Sequence, residues 1–346
     1  MTDNRFFNKC LFFTDLHMGE KNNERLHNQD CSDFVNWAIL RAKEENVDCI
    51  IFGGDWFHHR HQIHVGTLNY AKQSFKKLND CGIPVFMLLG NHDLYYKERR
   101  DVSSVEASIG DFENIHVIDK IEKINGVLFV PWVLTSEIDT VKKQLKDCDY
   151  CFGHFELPHF LMNSLVTVPE KEKGLKYEDF KDVKYWAFTG HFHIRQSKGK
   201  VFYTGNTFPM CFSDVWDDDR GIMILKWGET PEFEKFPSAP KYRSLNLSEL
   251  IEDPRKYLDN LTYIKITPDI DITYEDQNLL EDVFRNNFNP RKINFLPPLL
   301  QKAEGEEGEF SENEIETIDE IVITGIKSID SSVIDPEKLI ELWLSA

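Results

Sequence analysis

The chain has 346 residues, with 59 acidic side chains against 40 Lys plus Arg, so its formal net charge is −19. Hydrophobic residues make up 41%, including 26 Phe, which is enough for a buried core and excludes a wholly disordered or fibrous protein. No apolar run approaches the ~20 residues of a membrane helix. The acidity argues at first against a nucleic-acid partner, because such proteins usually show a basic footprint.

The polar start, Met1 to Asn8, shows no signal-peptide pattern. Short apolar runs then follow at Cys10–Phe13, Cys49–Phe52, Val85–Leu89, Val127–Val130, Tyr150–Phe152, Tyr185–Phe188, Val201–Tyr203 and Ile222–Leu225. Helical patterns lie between several of them, at about 30–46, 66–80 and 135–147. Strands alternating with helices predict an α/β sheet with covered faces. The later runs are closer together and predict some antiparallel pairing.

The texture changes near Lys241. Strands are expected at Tyr242–Leu247, Tyr263–Ile266 and Lys292–Phe295, with a helix at Gln277–Asn287. These predict a small α+β domain over 241–302, after a first domain over 1–240. Residues 303–320 hold nine acids and no base, as a self-repelling linker would. Residues 303–346 together contribute −11 of the net charge. At the end, Asp335 can cap a last apolar helix with Pro336 at its first position.

The seven cysteines are scattered and odd in number. Cys148-x-x-Cys151 has no partner pair for a zinc ribbon, so it reads as structural. The usage fits a reducing cytoplasm.

The chemistry lies in the residues just after the apolar runs. Cys10–Phe13 leads to Asp15 and His17. Cys49–Phe52 leads to Gly53-Gly54-Asp55. Val85–Leu89 leads to Gly90-Asn91-His92-Asp93. Tyr150–Phe152 leads to Gly153-His154. Tyr185–Phe188 leads to Gly190-His191-Phe192-His193. In α/β sheets, sites form beyond the carboxyl ends of strands. Carboxylates, an amide oxygen and imidazoles are mixed O/N donors that suit Mn, Fe or Zn with water. Two metals roughly 3.5–4 Å apart can clamp a phosphoryl group for in-line attack. Each residue alone is more often a cap, a turn residue or a core histidine. Five in order after strands are hard to obtain by chance.

This order of motifs resembles the calcineurin-like metallophosphoesterase superfamily. Gly53-Gly-Asp-Trp-Phe-His-His59 resembles the corresponding stretch of SbcD-type DNA repair nucleases, the meiotic-recombination-eleven family. Gly90–Lys97, Gly153–Leu157, Gly190–His193 and Asp219–Gly221 are similar to the nuclease subunits of T-even-type phage recombination endonucleases. The resemblance covers roughly residues 8–226. It implies a two-sheet α/β/β/α sandwich with a capping domain. It also implies two divalent metal ions, with Mn as the activating ion. One metal would be held by Asp15, His17 and His193, the other by Asn91, His154 and His191, with Asp55 bridging. His92 would assist the leaving group, oriented by Asp93. His58 matches a histidine used on duplex ends, although His59, His61 and His64 crowd the same loop.

The implied activity is a DNA exonuclease and endonuclease, 3′-to-5′ on duplex ends, in recombination and repair. The implied partners are DNA, an SbcC-type SMC-like ATPase reached through residues 321–346, and a second copy of the chain. No membrane is implied, and the setting would be the cytoplasm (the host's, if the gene is a phage's). Two rival readings are a phosphoesterase for small phosphodiesters and a non-catalytic DNA-complex subunit. His58 and the extension after 240 argue against the first. The intact ligand set argues against the second.

Overall fold

Strand β1 (Lys9–Phe13) shows how alternation builds layers. Leu11 and Phe13 face one core, shared with helices, while Cys10 and Phe12 face another, shared with a second sheet. A strand buried on both faces reads as one continuous apolar run, as Cys10–Phe13 does. The computed structural model describes residues 5–110, 112–162, 167–170 and 173–296.

The strands after β1 are β2 (Cys49–Phe52), β3 (Val85–Leu88), β4 (Ile115–Ile118), β5 (Glu122–Ile124), β6 (Val127–Val130), β7 (Tyr150–His154) and β8 (Trp186–Gly190). After them come β9 (Gln196–Lys198), β10 (Val201–Tyr203), β11 (Gly221–Lys226) and β12 (Glu232–Lys235). One six-stranded sheet runs β12-β11-β1-β2-β3-β4, and the other runs β5-β6-β7-β8-β10-β9. Pairing is parallel from β1 through β4 and among β6, β7, β8 and β10. Antiparallel pairs flank these blocks.

Phe12, Phe129, Phe152 and Phe188 fill the space between the two sheets. Helices Arg25–Glu44 and Val65–Asp80 cover the first sheet through Phe34, Val35, Ala38, Ala71 and Phe75. Helix Ile138–Leu145 covers part of the second through Val141 and Leu145. The layers are therefore α/β/β/α, as expected.

A third sheet is made of β13 (Lys241–Asn246), β14 (Thr262–Thr267) and β15 (Lys292–Phe295). Its strands are all parallel and are joined by helices, a βα alternation rather than segregated α+β layers. Arg291 ties it to the larger body with a bidentate bond to Asp30, at 2.5 and 2.8 Å. Lys21 donates to the Tyr242 hydroxyl and lies 4.2 Å from the centre of the Tyr263 ring.

Three details differ from expectation. The helix expected at about 30–46 begins at Arg25, five residues early. The pattern at 135–147 is a 3₁₀ turn, Thr135–Glu137, before its helix. Strand β7 continues through His154, so that residue is in the sheet rather than beyond it, in register with Gly190. The expected linker at 303–320 and terminal segment at 321–346 lie outside the described residues.

Candidate metal centre

The carboxyl ends of the parallel strands from both sheets meet at one place. Asp15 and His17 follow β1, Asp55 follows β2, and Asn91 and His92 follow β3. His154 ends β7, while His191 and His193 follow β8. The close approach needs small residues. A Cβ on Gly90 would overlap the Asp55 carboxylate, and one on Gly190 would overlap Thr14 and Asp15. The backbone is also bent hard here. Asp15 (φ 54°), His17 (48°), Asp55 (61°) and His191 (94°) all lie in the left-handed region. Such conformations cost on the order of 1–3 kcal/mol each and concentrate at functional sites.

Two groups of donor atoms result. Asp15, His17 and His193 form one, and Asp55, His154 and His191 form the other. Asn91 joins the second, its Oδ1 lying 3.1 Å from His154 Nε2 and 2.9 Å from His191 Nδ1. Asp55 lies between the groups, its Oδ2 being 3.3 Å from His154 Nε2 and 3.8 Å from His17 Nε2. All seven residues that the sequence singles out as ligands thus fall in one or the other of two adjoining groups.

The atoms present fit cations. His154 Nδ1 donates to the Gly53 carbonyl at 2.8 Å. That fixes the tautomer and leaves Nε2 facing the Asn91 oxygen. His17 Nε2 and His193 Nε2 face each other at 3.1 Å. One ring must carry a hydrogen there and donate to the other, or a metal must take both lone pairs.

The electrostatics agree. Burial pushes the Asp55 carboxyl up, but His154, His92 and His17 outweigh it and hold it well below the usual range. Asp15 is likewise held at about 2, against its burial, by the His17 bond and the charge of His154. Burial pushes His154 down, yet Asp55 and Asp15 lift it to about 9. Burial also opposes His17, which the same two carboxylates raise. Burial and neighbouring imidazoles lower His191 to about 3 and His193 to about 4. Each group therefore sets a carboxylate among imidazoles, a donor set that suits a divalent ion.

His92 stands beside these groups. Its backbone N–H donates to Asp55 Oδ1 at 2.7 Å, and its Nδ1 donates to the His58 carbonyl at 2.6 Å. The resemblance has Asp93 orienting His92, but the Asp93 carboxylate bonds elsewhere. It accepts from the backbone N–H groups of Asp55, Trp56 and Gly90 at 2.8, 2.9 and 2.8 Å. It therefore braces the β2 and β3 loops against each other, while the His58 carbonyl fixes the ring. The His58 ring stacks on His92, with centroids 5.6 Å apart. Its neighbours do other things. His64 caps the helix Val65–Asp80, and His61 packs on Tyr95.

Sequence reasoning missed the supports behind the ligands. Arg220 is wholly buried and donates to the His193 carbonyl and to Asn206 Oδ1. Buried His27 donates to the His17 carbonyl at 3.0 Å. Arg220 stands in the Asp219-Arg-Gly221 stretch that carries part of the resemblance, and a lone Arg beside acidic residues was the only further signal. Nothing in sequence pairs His27 with His17. Cys148 and Cys151 are buried free thiols, pushed up by burial, to about 12 for Cys148. That is inert, structural behaviour.

Two anionic carboxylates among imidazoles, at strand ends of a double sheet, define a phosphoesterase site. The chain belongs to the calcineurin-like phosphoesterase family, whose model matches residues 9–195. It is similar to exonuclease subunit 1 of Enterobacteria phage T4, 25% identical over 343 residues, covering 96% of each chain. It is also similar to the DNA double-strand break repair protein Mre11 of Thermoplasma acidophilum, 35% identical over 115 residues. That match covers 31% of this chain and 28% of the relative. Among solved structures, a dimetal phosphatase from Danio rerio covers 66% of this chain and 96% of its own, with a TM-score of 0.43 at 11% identity.

Proposed function

We propose that the protein is a metal-dependent nuclease that hydrolyses DNA phosphodiesters in recombination and repair. The observation that carries this reading is the position of Asp55 between two donor groups, beside His92. The similarity to the T4 exonuclease subunit along nearly the whole chain adds the substrate class. Asp15, His17 and His193 would hold one cation and Asn91, His154 and His191 the other, with Asp55 placed within reach of both groups. Two divalent ions, manganese in our reading, supply charge neutralisation on the phosphoryl oxygens and activation of water. His92, pinned at Nδ1, keeps Nε2 for the departing 3′ oxygen. A bound phosphate's charge favours its protonated form. Asp93 keeps the His92 loop in register with Asp55. His58, stacked on His92, supports action at duplex ends.

The polarity is 3′-to-5′. The chain pairs with a second copy and with an SMC-like ATPase in a reducing cytoplasm, where seven free thiols suit it. Residues 241–302 form the capping domain, and residues 303–320 link it to an ATPase-binding segment at 321–346. No described helix is long and apolar enough to cross a membrane.

Asp15→Asn and His92→Gln should each abolish Mn-dependent release of nucleotides while circular dichroism stays unchanged. Wild-type rates in either variant would end the assignment. Deleting residues 321–346 should abolish co-purification with the ATPase, and undiminished recovery would refute that part.

A further inference from the structure

A cleft of about 160 Å³ opens beside the second donor group, and His154 is common to both. Its wall includes Trp132, Phe155 and Leu175, with the carboxylates of Glu98 and Glu156 and the ammonium of Lys173 alongside. Whatever lies in this cleft is next to whatever binds at Asp55, His154 and His191.

Trp132 is a fixed platform. Its ring lies 5.1 Å from that of His191 and 6.0 Å from that of His154. Its backbone N–H donates to Leu89 at 2.7 Å, and its carbonyl accepts from Arg100 at 2.6 Å. Arg100 in turn pairs with Glu137. Glu98 is held as well, by the N–H and hydroxyl of Thr135 at 3.4 and 3.2 Å.

The chemistry of this cleft selects its occupant. Sites for whole drug-sized ligands run to roughly 300–1,000 Å³, so this one suits a single planar ring system. The Glu98 and Glu156 carboxylates suit the amino and imino donors of a base edge, and the Lys173 ammonium suits its carbonyl and ring-nitrogen acceptors. An aromatic wall stacks on any base, whatever the sequence. A base pair is too large to enter.

Building on the nuclease reading above, we propose that the cleft binds the base of the nucleotide under attack, unpaired and stacked on Trp132. The scissile phosphate of that nucleotide lies at Asp55, His154 and His191. The terminal nucleotide is therefore splayed from the duplex before it is cut. Unstacking costs least where the base is already mismatched, so a mismatched end is the better substrate.

The test compares three duplexes with the full-length protein and Mn. They share one sequence and differ only in the 3′-terminal nucleotide, which is paired, mismatched or abasic. Wild type should cleave the mismatched end faster than the paired end. It should cleave the abasic end about tenfold more slowly than the mismatched one, as expected for loss of one base–aromatic stack. In Trp132→Ala the mismatched-to-abasic ratio should collapse towards one. A ratio near one in wild type overturns the proposal, whether or not the variant folds. A variant that keeps the wild-type ratio also overturns it. Hydrolysis of bis(p-nitrophenyl) phosphate without cleavage of any duplex defeats the nuclease reading, and this proposal with it. Cleavage that ignores the terminal base defeats this proposal alone.

Discussion

At Gly90 the absence of a single carbon decides whether the site exists. A methyl group there would occupy the space of the Asp55 carboxylate. We expect Gly90→Ala to fold, at an overpacking cost of about 1–3 kcal/mol. Its Mn affinity should fall at least tenfold by calorimetric titration, and unaltered affinity would contradict this geometry. Arg220 acts from behind the ligands. Removing it strands Asp214, Asp217 and the His193 carbonyl. Loss of one partner of a buried pair typically costs 3–5 kcal/mol. Arg220→Ala should therefore lower the urea midpoint sharply, and a midpoint within error of wild type would show that the pair is not strained by the loss. The seven ligand candidates were readable because each is a chemically distinctive residue at the end of an apolar run. Arg220 and His27 were not, because a residue that supports another across the fold leaves no local pattern.

Among the elements, the legible strands are those buried on both faces. β1, β2, β6 and β7 are runs of apolar residues, and burial forces that composition. The strands that escaped notice are β4, β5, β9 and β12. Each of them ends a sheet, and three are only partly buried or exposed along their length. An edge strand keeps polar residues on its open side, so it reads as loop. The parallel arrangement of the third sheet was likewise hidden, since orientation depends on where helices Leu247–Glu252 and Tyr274–Phe288 cross over. That sheet depends on Arg291. Its side chain and that of Asp30 are 9% and 6% exposed. Burial raises the Asp30 carboxyl in spite of Arg291, so Asp30 without its partner is costly. Arg291→Ala should destabilise the protein by about 3–5 kcal/mol. Arg291→Ala with Asp30→Leu should recover part of this in a melting experiment. No recovery would mean that the pair does more than neutralise itself.

For the whole molecule, charge is the quantity to settle. A net −19 opposes binding to DNA, yet residues 303–346 carry −11 of it, and two bound divalent ions add about four positive charges. Duplex binding by the isolated chain should therefore be weak and require Mn. In a filter-binding assay, tight retention of DNA in chelator would contradict this. Metal should also stabilise the fold. Ion that binds only the native state adds about 2.7 kcal/mol at 100 times its dissociation constant. A thermal scan should shift upward with Mn and return in chelator, and Asp15→Asn should reduce the shift.

Each donor group draws on both sheets. Asp15 and His17 belong to the first sheet and His193 to the second, while Asp55 and Asn91 belong to the first and His154 and His191 to the second. The seven residues also span the chain from Asp15 to His193. Timing is set by this arrangement. During synthesis, no nascent chain that ends before His193 can close both groups, although strands β1 to β8 are by then already made. Cutting power then arrives late and all at once, when the second sheet docks on the first. A cell making such an enzyme is spared a half-built nuclease loose beside its own chromosome.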